Sequence, residues 1–257
     1  MRIAAAGDLH CEPSEREEVA AAFATLEDDV DAFLLAGDLT THGEPEQAAI
    51  LADACRNLST PVVTVLGNHD WHANRVSELT AVLEDAGIVV LDRSHVILEL
   101  ADCELGIAGI KGFIGGFRGS HLPDFGEPLL RTVYAETTAE VQALDAGLRA
   151  IAHCARRVAL LHYAPVTATI EGERHDIWTF LGCDRFAAPI SEHAPDLVLH
   201  GHAHAGCFRG AIGGVPVFNV AVPVMGRDFS VFDLPAGSEA PVAAAHQDDH
   251  RQDLQAT

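Results

Sequence analysis

The chain has 257 residues, 48% of them hydrophobic, enough to bury the core of one large α/β domain or of two smaller ones. A formal net charge of −22, with Lys111 as the sole lysine, argues against a general nucleic-acid groove, which needs Lys and Arg in clusters. No apolar run reaches membrane-spanning length, and Asp8 follows Arg2 too closely for a signal peptide's apolar segment, so a cytoplasmic location and no membrane partner are expected.

The first apolar run, Ile3-Ala4-Ala5-Ala6, reads as a buried strand closed by Gly7-Asp8-Leu9-His10. Residues 15–30 have helical character, with Val19, Ala22, Phe23 and Leu26 at helical spacing and Ser14 placed to cap them. A second strand, Ala32-Phe33-Leu34-Leu35, runs into Gly37-Asp38, and residues 45–58 repeat the helical pattern through Ala48, Ile50, Leu51 and Cys55. Pro61-Val62-Val63-Thr64-Val65-Leu66 then closes on Gly67-Asn68-His69-Asp70, before a third helix over residues 75–86 that ends at Gly87. Alternation of this kind implies βαβ units and a mainly parallel sheet.

From Ile88 the runs shorten. Residues 89–91, 96–100 and 105–109 read as short strands, 111–128 as a Gly-rich loop, and 137–155 as a long helix. Val158-Ala159-Leu160-Leu161 closes on His162. The connector over residues 165–184 is too long for an ordinary loop, and Trp178, Phe180 and Leu181 argue that it is ordered and covers a site. Asp196-Leu197-Val198-Leu199-His200 delivers Gly201-His202-Ala203-His204. Residues 215–220 and 229–234 look like paired strands closing a second sheet, and a tail from Ala236 is expected to be disordered, leaving one domain over residues 1–235.

Each polar motif follows a strand, and in an open α/β sheet the carboxyl ends of strands share the edge where ligands bind. Asp, Asn and His from across the chain therefore converge, which points to a dinuclear metal site. The Asp38 carboxylate suits a bridging role. Asp8 and His10, two apart in extended chain, point the same way, as do His202 and His204, while Asn68 and His162 complete the ligands of the second ion. Mn, Fe and Zn all accept this mixture of donors, with Mn or Fe favoured. Cys11 follows His10 but is not needed as a ligand. Among the 15 histidines, His200 is expected to be buried and structural, while His72 lies just past the Asn68-His69-Asp70 turn. Arg118, His121 and His72 are candidate substrate contacts, weighed against a solvated loop.

The motifs D-x-H, GD, GNH[DE], an isolated His and GHxH, in this order across residues 3–234, resemble those of the calcineurin-like metallophosphoesterase superfamily. The resemblance implies an α/β sandwich of two mixed β-sheets with helices on the outer faces. It implies one metal on Asp8, His10, Asp38 and His204, and a second on Asp38, Asn68, His162 and His202. It further implies a hydrolase of small phosphate esters, in which a hydroxide held between the metals attacks phosphorus in line. His69 would assist the leaving group, with Asp70 accepting from the His69 ring to fix its tautomer. Phosphodiesters are favoured over phosphomonoesters and nucleotides. A non-catalytic scaffold stabilised by metal is the reading from a different class. A nuclease acting on DNA ends is the third, and the acidic balance counts against it.

Overall fold

In this computed structural model the described residues are 1–25, 29–101, 103–234 and the backbone of 242–243. The first half alternates as expected: β1 (Arg2–Ala6), α1 (Arg16–Ala24), β2 (Ala32–Ala36), α2 (Pro45–Cys55), β3 (Val62–Val65), α3 (Val76–Glu84) and β4 (Val89–Leu91). Then follow β5 (Ser94–Glu99), β6 (Glu104–Ile110), α4 (Pro128–Ala150), β7 (Arg156–Leu161), α5 (Trp178–Leu181), α6 (Ala187–His193) and β8 (Leu197–His200). The last elements are β9 (Arg209–Ile212), β10 (Val215–Asn219), α7 (Val222–Met225), β11 (Ser230–Asp233) and β12 (Val242–Ala243).

These strands make two six-stranded sheets, ordered β12-β11-β1-β2-β3-β4 and β5-β6-β7-β8-β10-β9. In the first, β1 to β4 are parallel and β11 runs antiparallel to β1. In the second, β6, β7, β8 and β10 are parallel, flanked by antiparallel β5 and β9. The sheets are mixed and packed as a sandwich, in agreement with the fold the motifs imply.

Burial on both faces explains the uninterrupted apolar runs. In β2, Phe33 and Leu35 pack with Phe23, Ile50 and Leu51 of the helical layer, whereas Leu34 and Ala36 pack with Leu160 and Leu199 of the opposite sheet. Ala159, Leu161 and Val198 turn the other way, towards Leu144 and Leu148 of α4 and Ile190 of α6. Each fully buried Leu or Phe contributes about 1.5–3 kcal/mol relative to exposure. The outcome is a helix–sheet–sheet–helix stack whose parallel strands end along two adjoining edges.

Several local expectations are corrected. The runs at 215–220 and 229–234 do not pair: β10 lies parallel to β8 in the second sheet, and β11 lies antiparallel to β1 in the first. Between them, α7 and the Gly7–Ala221 bridge carry the chain from one sheet to the other. The hairpin partner of β10 is β9, reached through the Gly213-Gly214 turn. Helix α4 begins at Pro128, well before residue 137, because its first turns expose Leu129 and Leu130 and so lack a core-facing period. Ser14 lies inside a 3-10 turn, Pro13–Glu15, and does not cap; there the Glu15 carboxylate accepts the Glu12 N–H at 3.2 Å. Leu26 and the tail from Ala236 fall outside the described residues, except that the backbone of Val242–Ala243 pairs with β11. Among the described residues no helix is long and apolar enough to cross a membrane.

The sheets lie close together at Gly109 of β6, where an added Cβ would lie 2.5 Å from Leu91 Cβ and 3.0 Å from Val65 Cγ1 of the first sheet. Gly109→Val is therefore expected to lower unfolding stability by about 1–3 kcal/mol through overpacking. Urea titration should show an earlier midpoint at unchanged slope. An unchanged midpoint would mean that the sheets are less tightly joined there.

Candidate metal centre

Five strands deliver polar side chains to the place where the two carboxyl edges meet. The turn after β1 carries Asp8 and His10, that after β2 carries Asp38, and that after β3 carries Asn68. His162 follows β7, and His202 and His204 follow β8. Backbone bonds join the turns: Asp8 N–H donates to Gly37 O at 2.9 Å, and Gly201 N–H donates to His162 O at 3.1 Å. His162 Nδ1 sits 2.8 Å from Ala36 O; a carbonyl only accepts, so this nitrogen carries the proton and ties the second sheet to the first.

The backbone here is under strain. Asp8, His10, Asp38 and His202 have φ values of 58°, 45°, 49° and 71°, in the left-handed region that residues with a Cβ avoid. Such conformations cost about 1–3 kcal/mol each and persist only where the surroundings over-determine them. Glycine clears the space beside two of these residues. A Cβ on Gly67 would collide with Asp38 Oδ1, and one on Gly201 would collide with Asp8 Oδ2.

Within this frame, lone pairs face lone pairs. With Nδ1 donating, His162 aims the lone pair of Nε2 at Asn68 Oδ1, 2.9 Å away, and at Asp38 Oδ1, 3.4 Å away. His202 donates from Nε2 to Phe180 O at 3.0 Å, which leaves Nδ1 as its acceptor. Burial holds the His202 imidazolium down at about 3, so the ring is neutral. His10 Nε2 is buried, lies 3.9 Å from Asp38 Oδ2, and has no hydrogen-bond partner. Its pKa is lowered, chiefly by burial. Burial pushes the Asp8 carboxyl upward, but the hydrogen bond from His204, reinforced by the His204 charge and the His202 N–H, outweighs it, and the net direction is down. That bond, 2.8 Å from His204 Nε2 to Asp8 Oδ1, raises His204 in turn.

An orphaned buried imidazole nitrogen and acceptors that point at acceptors are costly unless a cation lies among them. Ligand atoms of Asp8, His10 and His204 lie within 4.8 Å of one another, as do those of His10, Asp38 and His69 and those of Asp38, His162 and His202. Asp38 belongs to two of the three groups. The mixture of carboxylate, amide oxygen and neutral imidazole is the donor set of a borderline divalent metal, so the residues present fit the ions the motifs imply.

Two further expectations need correction. Asp70 does not accept from the His69 ring. Its buried carboxylate takes the N–H groups of Leu39, Thr40 and Gly67 and the Thr40 hydroxyl, at 2.7–3.2 Å, bracing the Asp38 turn against the Asn68 turn. Burial, with the Asp38 charge second, pushes its pKa up to about 6. The His69 tautomer is set instead by Thr41 O, 2.8 Å from Nδ1. Among the candidate substrate contacts, only His72 comes to the centre, its ring centroid 4.3 Å from that of His69. His121 is spent on Asp184, at 2.8 Å, and Arg118 is exposed. His200, wholly buried, is structural as expected, with Nε2 2.7 Å from Thr169 Oγ1. Cys11 is core, burial pushing its thiol up to about 12.

Sequence reasoning missed Tyr163, whose ring lies 4.4 Å from that of His202, and Lys111 and Trp71 beside it. The adjacency of Tyr163 to His162 was the only signal available.

A family model described as calcineurin-like phosphoesterase matches residues 1–206. The chain belongs to that family. No curated protein matches it in sequence. Among solved structures, phosphopantetheinyl hydrolase from Mycobacterium tuberculosis superposes with a TM-score of 0.61 at 17% identity, over 86% of this chain and 88% of that one. A putative 5'-nucleotidase from Staphylococcus aureus gives 0.58 at 15% identity, over 95% of this chain but 52% of its own length. GAP50, named as the anchor in the inner membrane complex of Plasmodium, gives 0.55 at 13%, over 90% and 80%. At these identities the likeness extends to the fold alone.

Asp70→Asn places an amide NH2 against N–H donors that now meet a carboxylate. The variant is expected to lose about 1–3 kcal/mol of stability, read by chemical denaturation of metal-free protein. A midpoint equal to wild type would show that Asp70 does not hold the two turns together.

Proposed function

We propose that this member of the family is a dinuclear metal phosphoesterase that hydrolyses small phosphate esters, phosphodiesters in preference to monoesters. The observation that carries the reading is the buried, unpartnered His10 Nε2, set among carboxylate and imidazole lone pairs with every expected ligand intact. The same fold occurs in a protein named as an anchor, so the ligand set rather than the fold supports catalysis.

Asp8, His10, Asp38 and His204 would hold one ion, and Asp38, Asn68, His162 and His202 the other. Bound there, the ions would supply Lewis acidity and a water that ionises near neutral pH. The chain's own contribution begins with orientation. Ala36 O and Phe180 O fix the tautomers of His162 and His202, so that the unprotonated nitrogen of each faces the centre. His69 is half-buried, with its ring centroid 4.6 Å from that of His10. Because Nδ1–H is committed to Thr41 O, the second proton of the imidazolium resides on Nε2, from which it can pass to a departing alkoxide. A poor leaving group depends on that proton most, and this dependence supports the diester preference.

The test uses protein stripped of metal and reloaded with Mn, assayed on bis-p-nitrophenyl phosphate beside p-nitrophenyl phosphate. Faster cleavage of the diester is expected, with Asp38→Asn inactive. His69→Ala should retain metal and lose about 10²- to 10⁴-fold in kcat on alkyl leaving groups, and less on p-nitrophenolate. Equal losses on both kinds of ester would remove the proton-donor role. No metal-dependent turnover of either ester would favour the scaffold reading.

A further inference from the structure

The sole lysine of this acidic chain stands beside the candidate centre. Lys111 directly follows β6, on the same sheet edge as the end of β7, and its carbonyl accepts the N–H groups of both His162 and Tyr163, at 3.0 and 3.1 Å. Its ammonium is drawn inward among three rings. Nζ lies 4.5 Å from the centroid of Phe113, 5.4 Å from that of Tyr163 and 5.8 Å from that of Trp71. These rings belong to different parts of the site. Trp71 closes the short turn that begins at His69, and Tyr163 packs against both His162 and His202.

An unconstrained lysine extends its charged end into water. Here Nζ makes one hydrogen bond, to Gly112 O at 3.1 Å, and among the described residues it ion-pairs with no carboxylate. The nearby Glu140 carboxylate is occupied by Arg93 and by the Gly112 N–H. An ammonium has three donors, so the remainder are unspent. Aromatic faces compensate a cation in part, yet they satisfy none of its N–H groups. Trp71 is 43% exposed, and Lys111 itself is only half-buried, so the frame lies at the surface of the site. In a protein of net charge −22, an anion approaching the site meets a repulsive far field, and one cation placed here supplies the local attraction.

We infer that Lys111, framed by Trp71, Phe113 and Tyr163, is an anion subsite that binds a second acidic group of the substrate, a carboxylate or phosphate carried beyond the scissile phosphorus. The inference rests on the phosphoesterase reading and narrows it to esters bearing a further negative charge. The Tyr163 ring stands between the ammonium, 5.4 Å from its centroid, and the His202 ring, 4.4 Å from it, so Lys111 addresses a different part of the substrate from the ions.

Calorimetric titration of the Mn-loaded 257-residue chain tests this without depending on turnover. Propylphosphonate and 3-phosphonopropanoate share a phosphonate and differ in the distal carboxylate. Wild type should bind the carboxylate-bearing compound about tenfold more tightly, as expected for one charge-assisted contact. Lys111→Met should abolish that advantage while leaving propylphosphonate affinity unchanged, and Lys111→Arg should keep most of it. Should the Met variant fail to fold, Lys111→Gln serves the same purpose. Equal affinities in wild type, or an advantage that survives Lys111→Met (chelation by the ions alone), would overturn the subsite. Failure of both phosphonates to bind wild type would overturn the phosphoesterase reading, and this one with it.

Discussion

Acceptors that face acceptors at the junction of two sheets are the constraint on which the rest of the structure depends. His162 Nε2, Asn68 Oδ1, Asp38 Oδ1 and the unpartnered His10 Nε2 crowd a small volume in which the His69 backbone N–H, on Asp38 Oδ1 at 2.8 Å, is the donor to Asp38. In a compact protein the lone pairs left unanswered carry a desolvation penalty. The arrangement makes sense as a vessel for positive charge. The outward nitrogens of His162, His69 and His202 are satisfied, by Ala36 O, Thr41 O and Phe180 O in turn. A half-built network is therefore excluded as an accident of packing. The satisfied side orients the rings, and the other side offers their lone pairs to a cation.

The frame around this centre is correspondingly stiff. Four candidate ligands adopt left-handed backbone conformations, Gly67 and Gly201 yield space to carboxylates, and Asp70 gathers three N–H groups and a hydroxyl into one buried brace. Each of these features costs stability or narrows sequence choice. The close-packed interface between the sheets supplies the surplus, with Leu34, Leu160 and Leu199 all fully buried. Strain at the turns is thus held by apolar burial behind them, along the same strands.

Much of this was legible in the sequence, because a strand buried on both faces announces itself as an unbroken apolar run and a ligand at its end as a polar break. All seven expected ligands come to one place for that reason. The neighbours of a strand were less legible: β10 and β11 are consecutive apolar runs, yet they lie in different sheets, since the short α7 segment crosses between the layers. Helix α4 hid its start because its exposed first turns carry no core-facing period. Asp70 was misassigned for another reason. Adjacency to His69 suggests contact between side chains, but the 3-10 turn over His69–Trp71 sends the two in different directions. Lys111 and Trp71 are far apart in sequence, and only the folded edge brings them together.

A local cation site within an acidic chain also reconciles net charge with an anionic substrate. The overall −22 discourages polyanions of large footprint, while the candidate ions and Lys111 would confine attraction to one small region. The most direct measurement is anomalous diffraction from crystals of the Mn-loaded protein. Two peaks are expected, one among Asp8, His10, Asp38 and His204 and the other among Asp38, Asn68, His162 and His202, with the Asp38 carboxylate touching both. A single peak, or none, in fully loaded crystals would contradict a dinuclear centre bridged by Asp38.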